Sequence, residues 1–318
     1  MQDAVNFFDT PMLGLERDQW LAKLEEIADD HGNFEQLGKR HFASFVEDTS
    51  KTLLVTFETI QSIQARKETG QPLGFELVQE LGWSHLCLLS DGQTWFRDAK
   101  VYAYFDRLID DGFFDEFDKV VFYGAGPCGY AASAFSVASP GATVIALQPQ
   151  ATLDPRLTAW DDRFTHMRGT SFTSRYGFAP DMVDAAKRAY VIYNPHLTQD
   201  AMHAAMFARP NVTLLRAPMI GPNLENGLYT MQILLRVIVK ASQGKLTDQS
   251  FGRLLRARRE YLPYLRALLG QTELRERPDL SKMVCANVTR RFNAPRFKRK
   301  LAELENETEN DAADRIAS

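Results

Sequence analysis

The sequence predicts an α/β protein built on a doubly wound, mostly parallel β-sheet. Between residues 50 and 223, short apolar runs alternate with helical segments, which is typical of a parallel sheet covered by helices on both faces. The clearest unit spans 120–132, where an apolar run leads into a glycine cluster and then into small residues at helical spacing. This order predicts a strand, a tight turn and a helix whose first N–H groups favour an anion or an oxyanion.

The regions that flank this alternation are predicted to be helical. Residues 1–50 form a predicted lead-in, because apolar residues between Leu15 and Ala28 lie on one side of an amphipathic helix. Strand signals end at Asn223, and the remaining residues favour helices at 228–241, 249–269 and 280–292, with breaks at Gly244, Gly270 and Pro278. The expected organisation is therefore a lead-in at 1–50, a core at 51–223, a helical extension at 224–302 and an acidic, disordered tail at 303–318.

Composition limits the function classes. The chain has 318 residues, of which 45% are hydrophobic and 25% charged, so it is long enough for one α/β core with an appendage. A net charge of −4 gives no overall attraction to nucleic acid. Residues 1–5 lack a basic stretch and no apolar run reaches membrane-spanning length, so neither secretion nor membrane insertion is expected.

Cysteine usage favours a reducing, cytoplasmic location. The three cysteines show no paired spacing, which argues against a structural zinc motif and leaves no metal site predicted; they are Cys87, Cys128 and Cys285.

Two interpretations of the glycine cluster are in competition. Gly124, Gly126 and Gly129 fit the G-x-G-x-x-G fingerprint that binds the pyrophosphate of NAD or FAD, which indicates an oxidoreductase. That interpretation needs an acid after the next strand, yet 142–147 is followed by the neutral Gln148. The fingerprint also begins about 120 residues into the chain, after other strands. It therefore remains the alternative, and no cofactor is predicted under the preferred interpretation.

The same turn resembles the nucleophile elbow of α/β-hydrolase-like proteins associated with bacterial glycan and surface-polysaccharide gene products. In the family pattern Gly-x-Ser-Met-Gly-Gly-Tyr-Ala-Ala, Gly126 stands at the serine position and Cys128 at the last small residue of the elbow. The resemblance covers roughly residues 50–235. It includes Ser90–Asp91 with Thr94–Trp95–Phe96, and the stretch from Gln148–Pro149–Gln150 to Asp161–Asp162–Arg163.

The resemblance also locates the other two members of a Ser–Asp–His triad. The acid is expected after the strand at 189–193, where Asp200 begins a helix, and the histidine is expected at Pro222, after Gly221. Glycine has no nucleophilic side chain and proline cannot transfer a proton. The resemblance therefore implies a hydrolase scaffold without functional serine-hydrolase chemistry, a pseudoenzyme that binds a small ligand or a partner.

Three side chains remain weak catalytic candidates. Cys128 lies near the first turn of a helix, where a thiolate is stabilised, so a Cys128-based acyl transferase is a further alternative. Asp200 is the acid that remains, and His196 follows the same strand in a loop. A structural role is favoured for Cys128 and His196, as it is for His203 on the Asp200 helix.

The predicted ligand pocket lies above the turn formed by Gly124, Ala125, Gly126, Pro127, Cys128 and Gly129. Asp91, Trp95 and Arg97 are expected near the same edge of the sheet, since Trp95 could stack on a sugar or a base and Arg97 could pair with an anion.

The arginine-rich C-terminal helices are the predicted surface for a protein partner. Nucleic acid is not predicted, because the acidic tail follows and no nucleic-acid motif accompanies the charges. A phosphoadenosine phosphosulfate reductase is a less favoured alternative. Its Glu-Cys-Gly-Ile-His motif is missing, and Cys285 stands in Met-Val-Cys-Ala-Asn.

Overall fold

A single eight-stranded sheet organises the protein. The computed structural model describes residues 11–65 and 69–317, so the first five residues discussed above lie outside the described part. The strands are β1 (Gly32–Leu37), β2 (His41–Val46), β3 (Thr52–Thr59), β4 (Ser84–Ser90), β5 (Lys119–Ala125), β6 (Thr143–Leu147), β7 (Arg188–Tyr193) and β8 (Val212–Arg216).

The strand order creates a place for a ligand. The order is β1-β2-β4-β3-β5-β6-β7-β8, with β1 and β2 antiparallel to their neighbours and the other pairs parallel. Strand β3 has β4 as its neighbour on one side and β5 as its neighbour on the other. The two crossovers leave in opposite directions, so a crevice opens at the carboxyl ends of β3 and β5.

Helices cover both faces of this sheet, as the alternating pattern predicts. They are α1 (Arg17–His31), α2 (Ile60–Gln64), α3 (Gly74–Leu81), α4 (Ala99–Asp110), α5 (Pro127–Phe135), α6 (Pro155–Thr158), α7 (Ala179–Met182), α8 (Thr198–Met206), α9 (Leu224–Thr230), α10 (Leu234–Ser242), α11 (Asp248–Leu254), α12 (Leu262–Leu274), α13 (Pro278–Arg291) and α14 (Pro295–Ala317).

The central strands are apolar on both sides. In β5, Val120 and Phe122 pack into the cluster on one face, whereas Val121 and Tyr123 pack into the cluster on the other. Continuous burial of this kind is characteristic of parallel strands between two helical layers, and it explains why 120–123 reads as an unbroken apolar run. The doubly wound fold with helices at both ends of the chain is thus confirmed.

The lead-in contains more than the predicted helix. The amphipathic segment forms α1, with Trp20, Leu24 and Ile27 buried, but β1 and β2 follow it before residue 50. These strands form an antiparallel hairpin around Gly38, which has φ +83°. Their mixed apolar and polar residues gave no strand signal. Only β1 is an edge strand with partly exposed side chains, whereas β2 is largely buried between β1 and β4.

The C-terminal extension is helical, with different breaks. The predicted helix at 228–241 is divided into α9 and α10, and the one at 249–269 is divided near Tyr261. Gly270 lies inside α12, because a single glycine costs a helix only about 1 kcal/mol, which packing of the buried Leu265 and Leu269 outweighs. The predicted break at Pro278 is present, since that residue begins α13.

The backbone of residues 303–317, predicted to be disordered, continues α14 as a helix. Among the described helices, none contains an apolar stretch that could cross a bilayer.

Candidate functional site

A cleft of about 300 Å³ lies at the crevice between β3 and β5. Its wall comes from the end of β3, the turn after β5, the residue after β6 and the loop before α9. The lining residues are Phe57, Glu58, Thr59, Ser62, Gln93, Ala125, Gly126, Pro127, Cys128, Gln148, Pro222, Asn223 and Glu225. The volume is at the lower end of the range for small-molecule sites, so it suits a compact ligand.

The turn at the floor of the cleft has the backbone of a nucleophile elbow. Gly126 adopts φ 56° and ψ −122°, a left-handed conformation that side-chain-bearing residues rarely adopt, and α5 begins at the next residue. Its N–H donates to the carbonyl of Leu147 at 2.7 Å. A Cβ at Gly126 would have no atom within 4 Å, so the space where an elbow side chain stands is open.

The residue after the elbow apex lacks a hydrogen-bond donor. In α/β-hydrolases the N–H of the residue after the nucleophile forms half of the oxyanion hole. Here that residue is Pro127, whose nitrogen carries no hydrogen. The proline is visible in the sequence, but the three triad positions alone do not reveal that this donor is missing.

Gly124 allows the strand and helix of the elbow to approach closely. A Cβ at this position would lie 2.1 Å from the carbonyl oxygen of Cys128, a contact that backbone cannot relieve without moving. Cys128 itself is 6% exposed and lines the cleft from the first turn of α5. Residues 125–128 line this cleft, whereas Gly124 and Gly129 are not among its lining residues.

Asp200 is held by a glutamine and an arginine. Its Oδ2 accepts from Nε2 of Gln148 at 2.6 Å, and its Oδ1 accepts from Nη1 of Arg163 at 2.7 Å. The Gln148 amide also bridges to the loop after β8, because its Oε1 accepts from the N–H of Leu224 at 2.9 Å and its Nε2 lies 3.3 Å from the carbonyl oxygen of Pro222. The amide therefore joins Asp200 to the loop in which a catalytic histidine was expected. We call these contacts the Gln148 bridge.

His203 is a structural residue on α8. Its Nδ1 accepts from the N–H of Ala151 at 3.1 Å, so the ring proton is on Nε2, which lies 2.9 Å from Oδ2 of Asp161. Burial alone would raise the pKa of Asp161, but hydrogen bonds from His203 and Arg163 outweigh it and hold that pKa well below its usual range. Both histidine nitrogens are thus occupied by contacts that position the 151–163 segment.

The remaining predicted residues lie outside the cleft lining. Trp95 is fully buried and donates to Oε1 of Gln150 at 3.1 Å, and Asp91 accepts from Arg17 at 2.8 Å. Arg97 donates to the carbonyl of Ser171 at 2.9 and 3.1 Å. These side chains support the loops beside the site.

His196 is exposed in the loop after β7 and is separate from the cleft lining. Among the three weak catalytic candidates, only Cys128 lines the cleft, and Asp200 reaches it through the Gln148 bridge.

Two cleft residues were not anticipated from the sequence. Glu58, at the end of β3, is 2% exposed, and its Oε1 accepts from the hydroxyl of Thr56 at 2.9 Å. Glu225, in the first turn of α9, accepts from the phenol of Tyr123 at 2.7 Å. Both carboxyl groups come from positions that have no local motif, and only the folded sheet brings them together.

The glycine turn differs from a dinucleotide site in its position. The dinucleotide-binding sheet has the order 3-2-1-4-5-6 with its fingerprint at the first strand, whereas this turn follows β5 in a different order. A dinucleotide site needs a ribose-binding acid at the position of Gln148. Here the Gln148 side chain is hydrogen-bonded to Asp200 and to the N–H of Leu224. The strand order and the elbow backbone together give an α/β-hydrolase-like fold.

No protein-family model matches the chain, and no curated protein sequence matches it. Solved structures do match. One is a carboxyl esterase from the fungus Tuber melanosporum, at 13% identity and a TM-score of 0.40, over 67% of this chain and 82% of that one. Another is MPT51 of Mycobacterium tuberculosis, at 12% identity and a TM-score of 0.41, over 65% of this chain and 95% of that one.

A third similar structure is the capsule O-acetyltransferase of Neisseria meningitidis serogroup A. It shares 10% identity at a TM-score of 0.40, over 62% of this chain and 91% of that one.

Proposed function

We propose that this protein is a non-hydrolytic member of the α/β-hydrolase-like fold that binds a small ligand in the cleft above the elbow. The observation that carries the proposal is the pair Gly126–Pro127. The backbone has the elbow conformation, yet the first residue offers no nucleophile and the second offers no oxyanion donor. Loss of either function alone lowers the rate of such an enzyme by orders of magnitude.

The other side of the cleft supports the same proposal. A catalytic acid acts by orienting a histidine, but the Asp200 carboxylate is bonded to Arg163 and to the Gln148 amide. A carboxamide neither ionises nor acts as a base at neutral pH, so this arrangement holds the loop around Pro222 in place without providing a general base. The elements of a hydrolase site are therefore used here to shape a pocket.

The cleft lining indicates the kind of ligand. Its polar groups are the amides and hydroxyls of Gln93, Gln148, Asn223, Thr59 and Ser62 and the carboxylates of Glu58 and Glu225, around a small apolar floor. Amides and hydroxyls both donate and accept hydrogen bonds, and carboxylates accept them, which suits a compact polyhydroxylated molecule. The surface-polysaccharide context implied by the family resemblance is compatible with that chemistry and stays a prediction, as do the cytoplasmic location and a protein partner at the C-terminal helices.

The hydrolytic part is tested with p-nitrophenyl acetate. We expect the wild type and Cys128→Ala to have equal rates, close to that of buffer. Gly126→Ser also stays inactive, because it restores a hydroxyl but leaves Pro127 and Pro222 in place. Turnover by the wild type that Cys128→Ala abolishes would replace this proposal with a thiol enzyme.

The binding part is tested by thermal shift with monosaccharides, nucleotide sugars, NAD and FAD. Gly126→Phe places a ring in the cleft, and Gly141→Phe is its matched control at the opposite edge of the sheet, since both glycines have positive φ and open space at the Cβ. A ligand shift lost only in Gly126→Phe supports the site. A shift retained in both variants, or no shift with any compound, contradicts small-ligand binding in this cleft.

A further inference from the structure

The structure points to a zinc site between β3, β4 and α3, and we propose that Glu58, His85 and Cys87 bind one Zn²⁺ ion there. One ligand atom from each residue lies within 4.8 Å of those from the other two. The three side chains are almost fully buried, with exposures of 2%, 0% and 0%. A carboxylate, an imidazole and a thiol are the three side-chain types that zinc prefers in proteins.

The register of the sheet brings these residues together. His85 and Cys87 are two residues apart on β4, so they project from the same face of the sheet. The neighbouring strand pairs Leu54 with His85 and Thr56 with Cys87, which places Glu58 one step further along the same face. The cluster is therefore fixed by central strands of the sheet, and rigid elements are the most precise support for a metal site.

The distances suit one shared cation. Sγ of Cys87 lies 3.6 Å from Oε1 of Glu58. Zinc bonds of about 2.0 to 2.3 Å at a tetrahedral angle separate an oxygen from a sulfur by roughly that distance. In the state shown, a thiol proton lies between the two atoms. Zinc replaces this proton, which passes to water, so that Cys87 binds as a thiolate.

Surrounding groups orient the ligands. The Thr56 hydroxyl is 2.9 Å from both Oε1 of Glu58 and Nε2 of His85, and the N–H of Leu73, at the start of α3, donates to the same carboxylate at 3.1 Å. Hydrogen-bonded neighbours of this kind hold metal ligands in position and are typical of zinc sites. Gly74 closes the cluster, since a Cβ there would lie 2.3 Å from the His85 ring.

The sequence did not predict this site because its ligands form no zinc motif. Glu58 is 27 residues before His85, and only one cysteine is involved, so the usual paired spacing is missing. Glu58 also lines the cleft, which places the proposed ion beside the ligand pocket.

The test measures zinc directly. The wild type, Cys87→Ser and Cys285→Ser are dialysed against zinc and then against zinc-free buffer, and bound metal is determined by mass spectrometry. Cys285 is an equally buried cysteine on α13, so its variant is the matched control. We expect stoichiometric zinc in the wild type and Cys285→Ser, and loss of it in Cys87→Ser. Thr56→Val should weaken zinc binding about 10- to 100-fold.

Spectroscopy keeps the test valid if a variant unfolds. In the wild type, X-ray absorption should show one sulfur at about 2.3 Å and nitrogen or oxygen ligands at about 2.0–2.1 Å. Cobalt in place of zinc should give a thiolate charge-transfer band. Absence of bound metal in the wild type, or bound metal without a sulfur ligand, would overturn the proposal. Gly126→Phe should retain zinc, so failure here is independent of ligand binding in the cleft.

Discussion

Replacement of Gln148 by methionine should destabilise the protein by about 3 kcal/mol. The bond from its Nε2 to the buried Asp200 carboxylate is charge-assisted and is worth about 1.5–3 kcal/mol, and the neutral bond from the Leu224 N–H adds about 0.5–1.5 kcal/mol. Methionine has a similar length but no donor, so the variant leaves Asp200 with Arg163 alone. The free energy of unfolding is measured by urea titration, followed by circular dichroism.

The control for this substitution is Gln93→Met. Gln93 lines the same cleft but is exposed, so its loss should change stability by no more than about 0.5 kcal/mol. Gln148→Glu adds a second readout. It places two carboxylates together at neutral pH, and its stability deficit should shrink as the pH falls and the introduced group is protonated. If Gln148→Met and Gln93→Met are equally stable, the Gln148 bridge does not hold the loop in place.

Three further predictions follow from other contacts. Gly74→Ala should lose about 1–3 kcal/mol in urea unfolding, because its methyl group would overlap the His85 ring, and equal stability would mean that α3 shifts freely. Burial lowers the pKa of His41 to about 4, so the folded state resists protonation of this ring and the free energy of unfolding should rise with pH from about 4 to 6.5. The substitution His41→Phe should flatten this rise. An unchanged pH profile would mean that another group causes the rise. Arg97→Gln should speed proteolytic cleavage at 171–175, where Arg97 donates to backbone carbonyls, and an unchanged cleavage rate would contradict that role.

The parallel core was predictable because its strands are buried on both faces. Segments such as 120–123 and 189–193 consist almost entirely of apolar residues, so they can be predicted as strands without tertiary information. The β1–β2 hairpin was not predictable, because its strand structure depends on tertiary contacts with α1 and β4 and not on a local pattern of residues. Edge strands with mixed side chains carry a weak local signal.

The candidate site also has one part that was predictable from local sequence and one part that was not. The elbow was predictable because the constraint at Gly124 and Gly126 is local, with glycine required by a close approach and by a positive φ. The Gln148 bridge spans 52 residues to Asp200, and Glu58 enters the cleft through strand register. Contacts of this range have no signature in a single sequence. Trp95 and Arg97 follow β4, but their polar atoms bond to neighbouring loops and not to the cleft.

The Gln148 bridge has a consequence for how the pocket responds to its surroundings. An aspartate–histidine pair changes its charge between pH 5 and 8, and with it the electric field that a bound molecule experiences. A carboxamide has one ionisation state throughout that range, so each of its atoms keeps a fixed role as donor or acceptor. The side of the cleft formed by Gln148 therefore keeps the same pattern of donors and acceptors across that range of pH. Under the proposed function, Gln148 itself would add no pH dependence to the binding of a small molecule.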